Sequence, residues 1–217
     1  MKKFKISKYT LGEELVSAIS HGLGAAFSIV ALVLLILKSV ELESLRALIS
    51  SLIYGISLII LYLMSTMYHS LSPKLKAKYV FRVLDHCSIY LLIIGTYAPI
   101  LIYAMANTKA LVLFLIMSVI GITGIVLNSI SLEKFKVYSF ISYLILGWIV
   151  IFSWSDFMGI LSSAALKFII AGGIAYTLGA LIYLAGKKVK YMHSVWHFFV
   201  LAGSILHFIA VYNYVLN

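Results

Sequence analysis

Residues 80–105 read VFRVLDHCSIYLLIIGTYAPILIYAM, an apolar run broken near its start by Arg82, Asp85 and His86. About 20 mostly apolar residues cross the roughly 30 Å of bilayer hydrocarbon as a helix, so this stretch reads as a transmembrane span. Working outward from it, six more segments meet the same test: about 16–37, 47–70, 110–130, 137–154, 164–186 and 193–215. The expected architecture is an all-α integral membrane protein of seven transmembrane helices, with residues 1–217 forming one membrane domain. Turn or polar signals separate the spans at Ser72-Pro73, Asn107-Thr108, Ser131 to Lys136, Ser153 to Asp156 and Gly186 to Lys190. Pro99 is expected to kink the third span.

Composition agrees. Of 217 residues 63% are hydrophobic and 11% charged, against about 25% charged in soluble domains. A soluble enzyme, a disordered tail and a nucleic-acid-binding module are thereby excluded, despite a net charge of +10. Cys87, the only cysteine, offers neither an internal disulfide nor a thiolate metal site. The basic start Met1-Lys2-Lys3-Phe4-Lys5 resembles the head of a signal peptide. The apolar run behind it is too long for one, so it is read as a retained first span.

The positive charge has a direction. With the N-terminus inside, the cytoplasmic segments carry Lys2, Lys3, Lys5, Lys8, Lys74, Lys76, Lys78, Arg82, Lys134, Lys136, Lys187, Lys188 and Lys190. The outer side holds Lys38, Arg46, Lys109 and Lys167. Such a bias sets the N-terminus in the cytoplasm and the C-terminus outside. The basic face meets anionic lipid headgroups, and no nucleic acid is needed to explain it.

Ionisable groups inside spans are costly and so are functional candidates. In the orientation above, His21 of span 1, Ser65 and His69 of span 2, Asp85 of span 3, and His193 and His197 of span 7 fall at a similar depth near the cytoplasmic leaflet. His193 and His197 stand at i and i+4, on one helical face, and Ser65 and His69 repeat that spacing. Two such imidazoles and a third from a facing helix can supply three nitrogen ligands to zinc and leave a fourth position open. Asp85 would orient the attacking water and accept its proton, and Ser65 would hold water or polarise a carbonyl. Two further readings stand beside this one: an interhelical hydrogen-bonding histidine pair, and an iron site using two histidines and Asp85. His86 points about 100° from Asp85 and reads as a supporting donor. His21, Arg82 and Glu14 are the other supporting candidates, with Arg82 placed to pair with Asp85 or Glu14. His207 lies about 21 Å along the axis from His193 and cannot share its metal.

These residues carry a resemblance. The run Phe81-Arg82-Val83-Leu84-Asp85-His86, continuing through Ile89-Tyr90-Leu91-Leu92 to Gly95-Thr96-Tyr97-Ala98-Pro99, resembles the third-span signature of the haemolysin III family. That family is the bacterial branch of the progestin and adipoQ receptors. Glu14 followed by His21-Gly22, Ser65-x3-His69 and His193-x3-His197 resemble its other motifs, in order along nearly the whole chain. Ser17 and Ser20 stand where many relatives have Asn and Thr. The resemblance implies seven helices around a zinc ion bound by His69, His193 and His197, with Asp85 and Ser65 nearby. It also implies kinship to alkaline ceramidases and a multi-pass place in the bacterial plasma membrane.

Three functions follow as expectations. The first is a zinc-dependent hydrolase of lipid amide bonds, with membrane lipid as substrate. The second is a sensor or regulator of membrane state with a structural zinc. The third, ranked last, is a pore-forming cytolysin, because the polar lining crowds one half of the bilayer.

Overall fold

The computed structural model describes residues 9–185 and 189–217. Of the expected cytoplasmic charges, Lys2, Lys3, Lys5, Lys8, Lys187 and Lys188 lie outside the described residues, as does most of the turn expected at Gly186 to Lys190. The elements are α1 (Leu11–Glu41), α2 (Leu45–Ser70), α3 (Lys76–Ala98), α4 (Thr108–Gly147), α5 (Trp154–Ile160), α6 (Ser163–Ala185) and α7 (Met192–Ala210). Wider π-helical turns extend α3 over Pro99–Met105 and α7 over Val211–Val215, and a 3-10 turn, Ile149–Ser153, leads into α5. Among the described residues no strand is present.

Local chemistry sets the helix ends. Thr10 and Glu13 form a reciprocal capping box at the start of α1. Ser44 and Asn107 accept from the backbone amides of Ala47 and Ala110 to start α2 and α4. Pro99, which has no N–H, marks where the α ladder of α3 gives way to the wider turn.

Among the described residues six helical stretches are long and apolar enough to cross a membrane, counting Thr108–Ile160 as one. Both the expected fourth and fifth spans fall inside that one stretch. Its helix is interrupted at Ser131, whose backbone is extended (φ −166°, ψ 106°), and the Ser131 hydroxyl accepts from the Lys134 amide. Beyond the break Ser139 donates to the side chain of Asn128 at 2.6 Å. In a straight helix those residues would stand about 16 Å apart along the axis. The chain therefore turns back at Ser131, where a six-residue polar connection, Ser131 to Lys136, was expected. Tyr90 of α3 touches both halves: its hydroxyl is 2.7 Å from Ser142 Oγ, and its ring lies where a Cβ on Gly124 would be.

Polarity is arranged inside out. The buried stripe of α1 is Ser17, Ser20, His21, Gly24, Ala25, Ser28 and Ala31, while Leu15, Ile19, Leu23, Val30 and Val33 are exposed. Lipid tails offer no hydrophobic drive for helix association, so small residues that allow close backbone approach line the contacts. A Cβ on Gly24 would meet the Tyr62 ring at 2.5 Å, and Ser39 of α1 bonds Ser51 of α2 at 2.8 Å. Helix α1 packs on α2 and α7, α2 on α3, α3 on α4, and α6 on α7. Helices α2 and α7 meet through side chains instead: Tyr62 donates to Ser204 Oγ at 2.7 Å, and His69 approaches His193.

Candidate metal centre

Four helices converge where the ring of contacts closes. The last turns of α2 bring Ser65 and His69. The first turns of α7 bring His193 and His197, α1 brings Glu14 and His21, and α3 brings Lys78, Arg82, Asp85 and His86. Apart from Arg82 and His86, all of them are buried.

His69 Nε2 stands 3.2 Å from His193 Nε2, which stands 3.3 Å from His197 Nε2. The three ligand atoms lie within 4.8 Å of one another. Nitrogens bound at about 2.0–2.1 Å around a tetrahedral ion are about 3.3–3.4 Å apart, so the two edges that meet at His193 have the spacing of such a site. Lone pairs converging in a buried place without an acid between them are poorly satisfied, and a cation satisfies all three. The residues present therefore fit a metal ion. The carboxylate of Asp85 is not part of that cluster. The iron site built on two histidines and Asp85 is thus not the arrangement the structure forms.

The support behind His69 is the most developed. Its Nδ1 is 2.7 Å from Glu14 Oε2. A carboxylate only accepts, so Nδ1 carries the proton and Nε2 keeps its lone pair for the metal. Glu14 Oε1 accepts from Lys78 Nζ at 2.7 Å, and Lys78 also donates to the carbonyls of Tyr68 at 3.0 Å and Leu71 at 2.9 Å. All three ammonium protons are placed, and the charge lies 4.9 Å from the centre of the Tyr68 ring. Lys78 is 0% exposed. This corrects the sequence reading, which counted Lys78 among the charges facing lipid headgroups. Its spacing was a usable signal, since Lys78, Arg82 and Asp85 stand at i, i+4 and i+7, one face of α3.

Other expected residues take varied places. His21 stacks on His197 with ring centres 3.7 Å apart, and both its nitrogens are buried without a hydrogen bond. It is packed against a ligand and is not a member of the triad. Ser65 Oγ is likewise buried without a partner, one turn from His69, and faces the Asp85 carboxyl. Asp85 Oδ2 is 3.9 Å from His86 Nδ1, and His86 Nδ1 donates to the Arg82 carbonyl at 2.9 Å. Arg82 pairs with Glu133 of α4 at 2.9 Å, a partner the sequence reading did not name, while Glu14 is taken by Lys78 and His69. Ser17 bonds Ser194 at 3.1 Å and ties α1 to α7 beside the triad.

A cavity of about 1120 Å³ begins at this site. Asp85, His86 and His193 line one end, and Trp148, Tyr97 and His207 line the far end. Between them the wall is largely apolar, from Leu92 and Ile93 of α3, Phe140 and Leu144 of α4, and Ile170 of α6.

Comparison with known proteins identifies the family. A family model described as haemolysin-III related matches residues 9–208. The chain belongs to the haemolysin III family. It is 37% identical to the Hemolysin-3 homolog of Bacillus subtilis (strain 168) over 206 residues, covering 95% of this chain and 96% of that protein. It is 37% identical to Hemolysin-3 of Bacillus cereus, over 94% of this chain and 92% of the relative. More distantly, it is 27% identical to the human Monocyte to macrophage differentiation factor, over 75% of this chain and 68% of that protein. With its long apolar helices, this haemolysin III member is a multi-pass bacterial membrane protein.

Proposed function

We propose that this haemolysin III member is a zinc-dependent hydrolase of lipid amide bonds, similar in chemistry to a ceramidase. The observation that carries the reading is a three-nitrogen cluster, spaced for a tetrahedral ion, at one end of a large apolar cavity with the Asp85 carboxylate on its wall. An all-histidine set with borderline-soft donors suits zinc, and three protein ligands leave one position for substrate or water.

His69, His193 and His197 would hold the zinc ion, which would supply a Lewis acid able to polarise an amide carbonyl and acidify water. The cavity holds the acyl chain, which puts the carbonyl carbon beside Asp85 and keeps bulk water away. Asp85 accepts a proton as water adds to that carbon. The Ser65 hydroxyl, free of other partners, donates to the oxygen on which negative charge develops. Asp85 then gives the proton to the amide nitrogen, the C–N bond breaks, and a fatty acid and an amine leave. Glu14 and Lys78 hold His69 in register throughout.

The same reading places seven crossings in the bilayer, N-terminus inside and C-terminus outside. The reversal at Ser131 supports it, since it divides Thr108–Ile160 into two antiparallel stretches, each long enough to span. The histidine triad then lies near the cytoplasmic leaflet, and lipid enters sideways between α4 and α6, whose backbones make little contact although both line the cavity.

A second reading has its own observation. Helices α2 and α7 are joined mainly by side chains, and on this reading the ion is a staple in a membrane-state sensor and Asp85 has no task. One experiment separates the two. Purified protein is assayed for metal content and for release of fatty acid from a panel of lipid amides, alongside Asp85→Asn. Stoichiometric zinc with turnover lost in Asp85→Asn supports the hydrolase. Zinc with no turnover on any amide supports the staple, and absence of zinc refutes both.

A further inference from the structure

The end of the cavity remote from the triad is not closed by apolar side chains. His207 lies there, 8% exposed, and its ring nitrogens make no hydrogen bond among the described residues. Its polar neighbours are bonded elsewhere within the protein. The Tyr176 hydroxyl is 2.9 Å from Ser204 Oγ, Trp148 Nε1 donates to Thr177 at 2.9 Å, and Tyr97 donates to the Gly147 carbonyl at 2.8 Å. Among these residues the imidazole is the one left without a hydrogen bond.

The backbone is shaped to seat it. Its ring stacks on Tyr176 with centres 5.5 Å apart, and a Cβ on Gly172 of α6 would meet the ring at 2.6 Å. A glycine in a helix interior costs about 1 kcal/mol against alanine, and here it gives the imidazole its place. A buried polar group without a partner is itself unfavourable. A lone water would need two to four polar partners, and of these neighbours only the imidazole has no bond of its own.

We propose that His207 forms a second polar subsite, which receives a hydroxyl carried near the far end of a long acyl chain. The proposal rests on the reading of the cavity as a lipid site and specifies the lipid. His193 and His207 share α7, fourteen residues and so about 21 Å apart along its axis. An extended alkyl chain, whose C–C bonds of about 1.5 Å are slightly longer than the backbone average, advances about 1.25 Å per bond. That distance is about 17 bonds, close to the roughly 16 between the carbonyl carbon and the terminal hydroxyl oxygen of an ω-hydroxypalmitoyl chain. A carbonyl at the triad thus places the end of a palmitoyl-length chain at His207. The geometry selects an ω-hydroxylated long chain over its plain counterpart.

The test is competition binding in nanodiscs, using free acids so that no turnover intervenes. The probes are palmitate and ω-hydroxypalmitate, with decanoate and ω-hydroxydecanoate as chains too short to reach. One neutral hydrogen bond amounts to about a 3- to 10-fold preference. The expected result is that preference for ω-hydroxypalmitate over palmitate in the wild type, its loss in His207→Leu, and no preference within the decanoate pair. Comparing wild type with variant cancels differences in bilayer partitioning. Should His207→Leu fail to fold, Gly172→Ala displaces the ring and is expected to remove the preference while palmitate still binds. Equal binding of the two long acids to the wild type overturns the proposal and leaves the lipid cavity standing. Binding of neither overturns both.

Discussion

The buried Lys78–Glu14–His69 chain makes a prediction that can be worked through. Lys78→Met removes an ammonium that is 0% exposed and leaves Glu14 with His69 as its remaining partner. Breaking a buried ion pair from one side costs about 3–5 kcal/mol, because the surviving charge stays desolvated. The backbone carbonyls of Tyr68 and Leu71 also lose their donor. The double variant Glu14→Gln/Lys78→Met removes both charges and is expected to recover about half or more of that loss. It should not recover metal affinity, since a neutral amide holds the His69 Nδ1 proton more weakly than a carboxylate, and loss of such a support costs about 10- to 100-fold. Stability is read by thermal denaturation in detergent at fixed zinc, and affinity by competition with a chelator of known strength. Stability and metal binding should therefore separate: the single variant is unstable, and the double variant is stable but binds weakly. A double variant no more stable than Lys78→Met, or one binding zinc as tightly as the wild type, would refute the linkage.

Further outcomes follow from the same geometry. His193→Ala/His197→Ala should lose stoichiometric metal, measured by elemental analysis after purification without chelator, because two of three ligands are gone. Asp85→Asn should keep full metal content while amide turnover falls about 10²- to 10⁴-fold, the range for loss of a general base. Gly124→Ala places a methyl against the Tyr90 ring and should lower stability by about 1–3 kcal/mol, seen as a drop in Tm with metal stoichiometry unchanged. Tyr62→Phe removes the bond to Ser204 and should cost about 1 kcal/mol in the same assay.

The histidine cluster was legible because helical spacing is short-range. Ser65 with His69 and His193 with His197 each lie one turn apart, so a sequence displays them as pairs, and hydropathy alone brings those pairs to one depth. Lys78 was misread because a lysine just before an apolar run has the same sequence signature whether it reaches water or turns inward. Its fate depends on the end of α2, whose free carbonyls at Tyr68 and Leu71 become its acceptors. The partner of Arg82 was missed for a similar reason, since Glu133 stands 51 residues away. The turn at Ser131 is sharper than composition suggested, because one extended residue and a serine hydroxyl at the next helix start are enough to reverse the chain.

By itself the sequence determined that the chain lives in a membrane as apolar helices, and that His21, His69, His193 and His197 gather at one depth while His207 stands apart. Both are one-dimensional properties, set by the cost of placing polar groups in hydrocarbon and by 3.6 residues per turn. Only the tertiary structure decided which imidazole nitrogens converge, that Glu14 and Lys78 stand behind His69, and that one cavity joins the triad to His207. Those are distances between helices far apart in the chain. They are set by which small residues let backbones approach, and no periodicity along a single helix records them.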